Sequence, residues 1–209
     1  KAVASGDASI SIGHNSVAAG DASMALGIQS QALNRYSFAA NGGIVEANAA
    51  GSPGGIAMGL GAKVTGVSGF ALSTNSNSGA SYGQSGTEFN WSTSGTTLAS
   101  GNGAIAMGNN ITASGSGSVA IGQYATASGS GSTVVGQGTA SGLNSLVVGY
   151  GTASGKASLA LQGTAAGKYS LAAAGATTET AAENAFAVGM GAKASLADSV
   201  ALGSASVAN

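Results

Sequence analysis

The chain has 209 residues, of which 37 are Gly, 44 are Ala and 32 are Ser, while only 6% are charged. Globular proteins usually carry about 25% charged residues and about 7% Gly, so a repetitive architecture is expected instead of an ordinary globular fold. The net charge of −1 argues against a disordered chain of the highly charged type, and the single Pro excludes collagen.

A five-residue pattern of alternating small and large side chains recurs along the chain at steps of about fourteen residues. The first copy, residues 9–13, reads Ser-Ile-Ser-Ile-Gly, and residues 23–27 read Ser-Met-Ala-Leu-Gly. An alternation with a period of two predicts a β-strand that places both large side chains on one face. Thirteen copies occur, at residues 9–13, 23–27, 37–41, 55–59, 69–73, 104–108, 118–122, 132–136, 145–149, 158–162, 170–174, 185–189 and 199–203.

We expect the large side chains of these strands to fill the interior of each repeat. A coil of this length gains only a few buried side chains, so repeats must stack to be stable. The predicted core residues are Ile10, Ile12, Met24, Leu26, Ile56, Met58, Phe70, Leu72, Ile105, Met107, Val119, Ile121, Leu146, Val148, Leu159, Leu161, Phe186, Val188, Val200 and Leu202.

Each repeat also contains a second short strand and two corners. A Gly usually lies three residues before the first strand, as at Gly6, Gly115 and Gly129, where we expect a turn with a positive φ angle. Thr-Ala-Ser segments such as 112–114 predict the second strand, with Thr and Ser on one face and Ala facing the large residues. The sequence therefore predicts an all-β solenoid of about 14-residue repeats.

Two insertions interrupt the period. The first adds four residues within 42–54 and is predicted to be a corner loop, and the second adds about twenty-one residues within 74–100. The second insertion supplies four candidate partner-binding residues, since aromatic side chains are enriched at interface hot spots. These are Tyr82, Glu88, Phe89 and Trp91. The alternative is that Phe89 and Trp91 pack the insertion onto the solenoid or a neighbouring subunit.

A ladder of hydroxyl side chains is the second candidate binding surface. It consists of Thr112, Ser114, Thr126, Ser128, Thr139, Ser141, Thr152 and Ser154. Flat arrays of hydroxyls at strand spacing are typical of ice-binding solenoids. The plainer interpretation is a polar face suited to a β-strand, and the pattern fades outside residues 112–154, where positions 164–166 read Thr-Ala-Ala.

Nothing in the sequence supports catalysis. Residues 79–83 match the Gly-x-Ser-x-Gly nucleophile motif, but the single His, His14, lies upstream, and there is no Cys. Asp7 and Asp21 occupy equivalent positions in adjacent repeats and could hold a cation, or could simply extend into solvent. We therefore predict no catalytic residue, no metal and no cofactor, and with six scattered Lys and Arg residues no nucleic acid partner.

The repeats resemble the head repeats of the trimeric autotransporter adhesins, the YadA-like family. The resemblance lies in segments such as Gly-Ser-Gly-Ser-Val-Ala-Ile-Gly at 115–122 and Ala-Asp-Ser-Val-Ala-Leu-Gly at 197–203. It implies a left-handed parallel β-roll, three chains side by side, a head over residues 1–203 and the start of a neck at 204–209. Residues 41, 73, 162 and 174 depart from the closing Gly of the pattern.

The resemblance also implies a function. We expect a binding protein that is not an enzyme, displayed on the surface of a Gram-negative bacterium and reaching the outer membrane only through a C-terminal anchor outside this sequence. Its partners would be two further copies of itself and host matrix proteins or cell-surface receptors. The alternative is an ice-binding or other surface-binding β-solenoid that uses the Thr-x-Ser ladder.

Overall fold

The computed structural model describes residues 1–48, 52–74 and 96–209. All regular elements in these ranges are β-strands, and they pair in parallel as a β-solenoid of about 13 turns with a spacing of about 14 residues. The predicted all-β solenoid is confirmed, whereas the left-handed sense and the homotrimer stay predictions. The chain forms two compact units, Lys1–Ala99 with Ala106–Asn110, and Ser100–Ile105 with Ile111–Asn209.

In the first unit each turn of the solenoid, here called a rung, has a first and a second strand. First strands pair with first strands of neighbouring rungs, as Ile10 with Met24, and second strands pair with second strands, as Val3 with Val17. The first strands are β2 (Ile10–Ile12), β4 (Met24–Leu26), β6 (Phe38–Ala40), β8 (Ile56–Met58), β10 (Phe70–Ser73) and, for most of its length, β12 (Ile105–Asn109). The second strands are β1 (Val3–Ala4), β3 (Val17–Ala18), β5 (Gln31–Ala32), β7 (Ile44–Val45), β9 (Ala62–Val64) and β11 (Thr97–Ala99).

The second unit repeats this arrangement. Its first strands are β14 (Val119–Gln123), β18 (Leu159–Leu161), β20 (Leu171–Ala173), β22 (Phe186–Val188) and β24 (Val200–Leu202). Its second strands are β13 (Thr112–Ala113), β15 (Thr126–Ala127), β19 (Thr164–Ala165), β21 (Thr177–Thr178), β23 (Lys193–Ala194) and β25 (Val207–Ala208). In two rungs the first and second strands merge into one, giving β16 (Thr133–Ala140) and β17 (Leu146–Ala153). These two merged strands pair over eight successive positions.

A tight turn leads into many of the first strands. The N–H of Ser118 donates to the carbonyl oxygen of Gly115 at 3.0 Å, which closes the turn. The predicted positive φ at this glycine is wrong, because Gly6, Gly115 and Gly129 all lie outside the positive-φ region. Glycine is required for a different reason: a Cβ atom on Gly115 would overlap the carbonyl oxygen of Gly129 in the next rung.

The interior of the rungs is filled mainly by small side chains, with a fully buried Val or Ile at a few positions. In the first unit Ala25 and Ala39 of the first strands pack with Ala18 and Ala32 of the second strands, and all four are fully buried. The second unit has an alanine cluster of the same kind that includes Ala187 and Ala194. The largest fully buried side chain is that of Ile111. The two strands of a rung therefore lie too close together to enclose a pair of large side chains.

The predicted interior position of the large side chains is consequently wrong for the single chain. They lie on the opposite face of the first strands and point outward, so that none is buried and Ile12 is 63% exposed. This correction applies to Ile10, Ile12, Met24, Leu26, Ile56, Met58, Phe70, Leu72, Ile105, Met107, Val119, Ile121, Leu146, Val148, Leu159, Leu161, Phe186, Val188, Val200 and Leu202. Small and large residues alternate as predicted, but the narrow interior of a rung contains the small residues and not the large ones.

The interruptions of the period fall between strands. The added residues of 42–54 lie between β7 and β8, where the N–H of Gly54 donates to the carbonyl oxygen of Arg35 at 2.7 Å. The insertion within 74–100 lies between β10 and β11. Within residues 204–209, β25 pairs with β23 through Val207 and Ala208, and the assignment of this segment as the start of a neck stays a prediction.

Candidate interaction surfaces

The outward side chains of the first strands form what we call the outer apolar face. In the second unit, strand register stacks them into two columns. One column contains Val119, Thr133, Leu146, Leu159, Leu171, Phe186 and Val200, and the other contains Ile121, Val135, Val148, Leu161, Ala173, Val188 and Leu202. Only Thr133 is polar. Soluble monomers rarely expose continuous apolar patches of this extent, so this face is a candidate interface.

The first unit has an equivalent outer apolar face. Its columns follow the pairing of β2, β4, β6, β8 and β10. One column contains Ile10, Met24, Phe38, Ile56 and Phe70, and the other contains Ile12, Leu26, Ala40, Met58 and Leu72. All but Ala40 are exposed or partly exposed. Both units thus present large apolar side chains on the face formed by their first strands.

The outward side chains of the second strands in the second unit form what we call the threonine face. All eight hydroxyl residues of the predicted ladder point outward, and Thr112, Thr126, Thr139 and Thr152 stack in register. The column continues through Thr164, which the sequence analysis counted as a departure because Ala166 replaces the serine, and through Thr177, which it did not consider. The register of strand pairing extends the threonine column to both residues, whichever residue lies two positions later.

The serine column of this face is shorter than the threonine column. It contains Ser114, Ser128, Ser141 and Ser154, and the next two equivalent positions are Ala166 and Glu179. Glu179 forms an ion pair with Lys193 of the next rung, with 2.5 Å between its Oε1 and the lysine Nζ. The hydrogen bond from Lys193 holds the pKa of Glu179 below its usual range, although burial opposes this. The second strands of the first unit carry the same diagonal pair, Glu46 with Lys63.

The acidic pair considered in the sequence makes a contact between two stacked rungs. The N–H of Asp7 donates to Oδ1 of Asp21 at 3.1 Å, and both residues are exposed. In the described parts of the chain, no group of three or more His, Cys, Asp or Glu residues is placed to hold a metal ion. Asp21 therefore serves to join two stacked rungs.

The four candidates in the long insertion cannot be placed. Tyr82, Glu88, Phe89 and Trp91 lie outside the described residues. Their assignment as partner-binding residues stays a prediction.

In the ranges that the structure does describe, no helix is long and apolar enough to cross a membrane.

Part of the chain is similar to a known family of repeats. Four stretches match the family model described as YadA head domain repeat (2 copies), at residues 4–30, 18–40, 113–139 and 181–206. A search of curated proteins finds no match. The matched stretches together cover somewhat less than half of the chain, and they fall in both units. These stretches are therefore similar to YadA head repeats.

Proposed function

We propose that this chain is the head of a trimeric autotransporter adhesin that attaches a Gram-negative cell to host extracellular matrix or cell-surface molecules. The observation that carries the proposal is the match of its rungs to YadA head repeats together with the outer apolar face. The head would be displayed outside the cell and held at the outer membrane by an anchor beyond this sequence. No catalytic step is part of this function.

The outer apolar face supports a homotrimer. Full burial of a Val, Leu, Ile, Phe or Met side chain stabilises by about 1.5 to 3 kcal/mol relative to full exposure. Each rung directs up to two such side chains outward, and in the single chain those of the inner rungs remain partly exposed, as at Ile121 with 37% and Val148 with 40%. Association with two further copies through this face would bury them. The apolar core that a rung lacks internally would then lie between chains.

Multivalent contact is the proposed binding mechanism. A trimer presents each binding surface three times, and a cell displays many trimers, so weak individual contacts combine into strong attachment. In this assembly the threonine face and the insertion within 74–100 are the candidate contact surfaces. We propose Tyr82, Glu88, Phe89 and Trp91 as partner-binding residues of that insertion.

The experiment compares a trimer with a monomerised variant. Val148→Asp places one carboxylate per chain on the outer apolar face, and Ser130→Asp is the matched control at an exposed turn position outside both the outer apolar face and the threonine face. Light scattering verifies that Val148→Asp lowers the mass to that of one chain while Ser130→Asp does not. Binding to surfaces coated with collagen, fibronectin or laminin should weaken by about 100-fold or more on monomerisation. Equal binding by the monomerised variant, or no binding to any coated surface, would contradict the proposal.

A second candidate function is favoured by the threonine column. Six threonines in register from Thr112 to Thr177 make a regular hydroxyl array of the kind that an ice-binding solenoid presents. The neighbouring Glu179–Lys193 ion pair interrupts the flat surface at one end. Measurement of thermal hysteresis tests this candidate, and freezing at the melting point without a hysteresis gap would remove it.

A further inference from the structure

A groove of about 500 Å³ opens on the second unit where two corners of different length meet. The corner between β14 and β15 places three residues, 123–125, between Gly122 and Thr126. The next two rungs have only two residues at this place, 137–138 and 150–151, because β16 and β17 run through the corner as continuous strands. The longer corner therefore projects beyond the shorter ones and forms one wall of the groove.

Two exposed tyrosines flank this groove. Tyr124 lies in the longer corner with a φ of 55°, a left-handed conformation that is costly for a bulky residue, and its side chain is 61% exposed. Tyr150 lies two rungs further along and is 72% exposed. Rungs are about 4.8 Å apart, so the backbones of the two tyrosines are separated by about 10 Å.

The floor of the groove carries no large side chain. It consists of the backbone at Gly138 and Gly151 with the side chains of Thr139 and Thr152. A Cβ atom on Gly138 would come within 2.6 Å of Cγ1 of Val147, so packing keeps this position a glycine. The shallow floor thus leaves both tyrosine rings accessible from the same side.

The polar groups that line the groove are amides and hydroxyls. Nε2 of Gln137 donates to Oε1 of Gln123 at 3.2 Å, which fixes two stacked amides beside the floor. Amides and threonine hydroxyls both donate and accept hydrogen bonds. No Asp, Glu, Lys or Arg lines the groove. It therefore offers aromatic rings, amides and hydroxyls together, without a charge to attract an ionic ligand.

We infer that this groove binds a neutral oligosaccharide, with sugar rings against Tyr124 and Tyr150 and sugar hydroxyls hydrogen-bonded to Gln137, Thr139 and Thr152. A pyranose ring has an apolar face of C–H groups and a rim of hydroxyls, which matches an aromatic ring bordered by amides and hydroxyls. Strand addition by a peptide is disfavoured, since β16 and β17 are paired on both sides before and after this corner.

The groove is formed by one chain, and none of its lining residues belongs to the outer apolar face. Its occupation by a sugar therefore does not depend on trimer formation, although Thr139 and Thr152 belong to the threonine face as well. The proposal can fail while the adhesin assignment holds, and the reverse is also true. The two are tested by separate measurements.

The test begins with a glycan array carrying neutral oligosaccharides, their sialylated and sulfated counterparts, and proline-rich peptides. The full chain should bind at least one neutral oligosaccharide, with no gain from added acidic groups. That oligosaccharide is then titrated into protein with ¹³C-labelled threonine methyl groups. The methyl signals of Thr139 and Thr152 should shift, whereas that of Thr177, in the same column but outside the groove, should not.

Variants locate the contact. Tyr150→Ala should weaken binding about tenfold or more, and Tyr169→Ala, which removes a 51% exposed tyrosine outside the groove, should change it less than about twofold. Both side chains are exposed, so unchanged circular dichroism and melting temperature are expected. Absence of neutral oligosaccharide binding, binding of the proline-rich peptide alone, or equal effects of the two substitutions would overturn the proposal.

Discussion

The α-carbon of Gly115 lies against the carbonyl oxygen of Gly129, so closely that a Cβ atom on Gly115 would overlap that oxygen. The same contact relates Gly101 to Gly115 and Gly129 to Gly142. Stacked turns thus approach each other backbone to backbone, and the spacing of the solenoid depends on the absence of a side chain at this position.

Gly115→Ala is accordingly expected to be severely destabilising. The methyl group would collide with backbone, which cannot move without separating two rungs. Gly117→Ala is the matched control: Gly117 has a φ of 64° and open space around its Cβ position, so only a conformational cost of about 1 to 2 kcal/mol applies. Urea unfolding of both variants measures the difference. A smaller loss for Gly115→Ala than for Gly117→Ala would contradict the close-contact argument.

Ala157→Gly should stabilise the protein by about 1 kcal/mol. Ala157 has a φ of 51°, in the left-handed region that glycine adopts without strain, and it occupies the turn position that Gly117 and Gly131 occupy in other rungs. Thermal unfolding should show a higher melting temperature. The control Ala160→Gly, at a fully buried strand position, should lower it. Equal effects of the two substitutions would show that the turn is not strained.

Two buried serines should respond differently to replacement by alanine. The hydroxyl of Ser145 donates to the carbonyl oxygen of Gly142 at 2.8 Å, so Ser145→Ala should cost about 1 kcal/mol of unfolding free energy. The hydroxyl of Ser118 is buried without a hydrogen-bond partner in the described structure, so Ser118→Ala should be neutral or stabilising. Denaturant titration of the pair is the measurement. A larger loss for Ser118→Ala would show that its hydroxyl has a partner.

Lowering the pH should reduce the free energy of unfolding, partly through protonation of Glu179. Its pKa is below the usual range in the folded state because of Lys193, so the ionised form contributes stability above the ordinary carboxyl pKa. That contribution is lost as the pH falls through the lowered pKa. Glu179→Gln should therefore reduce the drop in melting temperature on going from neutral to acidic pH, by a small amount since the pair is exposed. Lys193→Met should reduce it similarly, and an undiminished drop in both variants would exclude this pair as a cause.

The strand pattern was predictable from sequence because period and alternation are local properties. Ile10 and Ile12 alternate with small residues, and their return as Met24 and Leu26 fixes which rungs are neighbours. Which face lies inside was not predictable by the same reasoning, since both faces are apolar. Hydrophobicity favours Ile over Ala for the interior. The space between the two strands of a rung, however, determines which side chains fit there, and that space is a property of the folded coil. The consistent alanines, such as Ala25 and Ala32, were the available signal.

The candidate sites were predictable to different extents. The hydroxyl ladder from Thr112 onward follows from residue spacing, because strand register preserves it. The groove between Tyr124 and Tyr150 was missed because it depends on two rungs having shorter corners than the one before them. The shortened repeat step at these rungs was visible in the sequence. That it brings Tyr124 and Tyr150 to the same groove was visible only in the structure.

The central claim is that the large side chains of the first strands face outward to pack against further copies of the chain. Light scattering coupled to size exclusion measures this most directly, on the chain itself and on Val148→Asp. The account predicts a mass near three times 19.4 kDa for the unmodified chain and near 19.4 kDa for the variant. A stable, soluble monomer for the unmodified chain would contradict it, because its outer apolar face would then remain exposed to water.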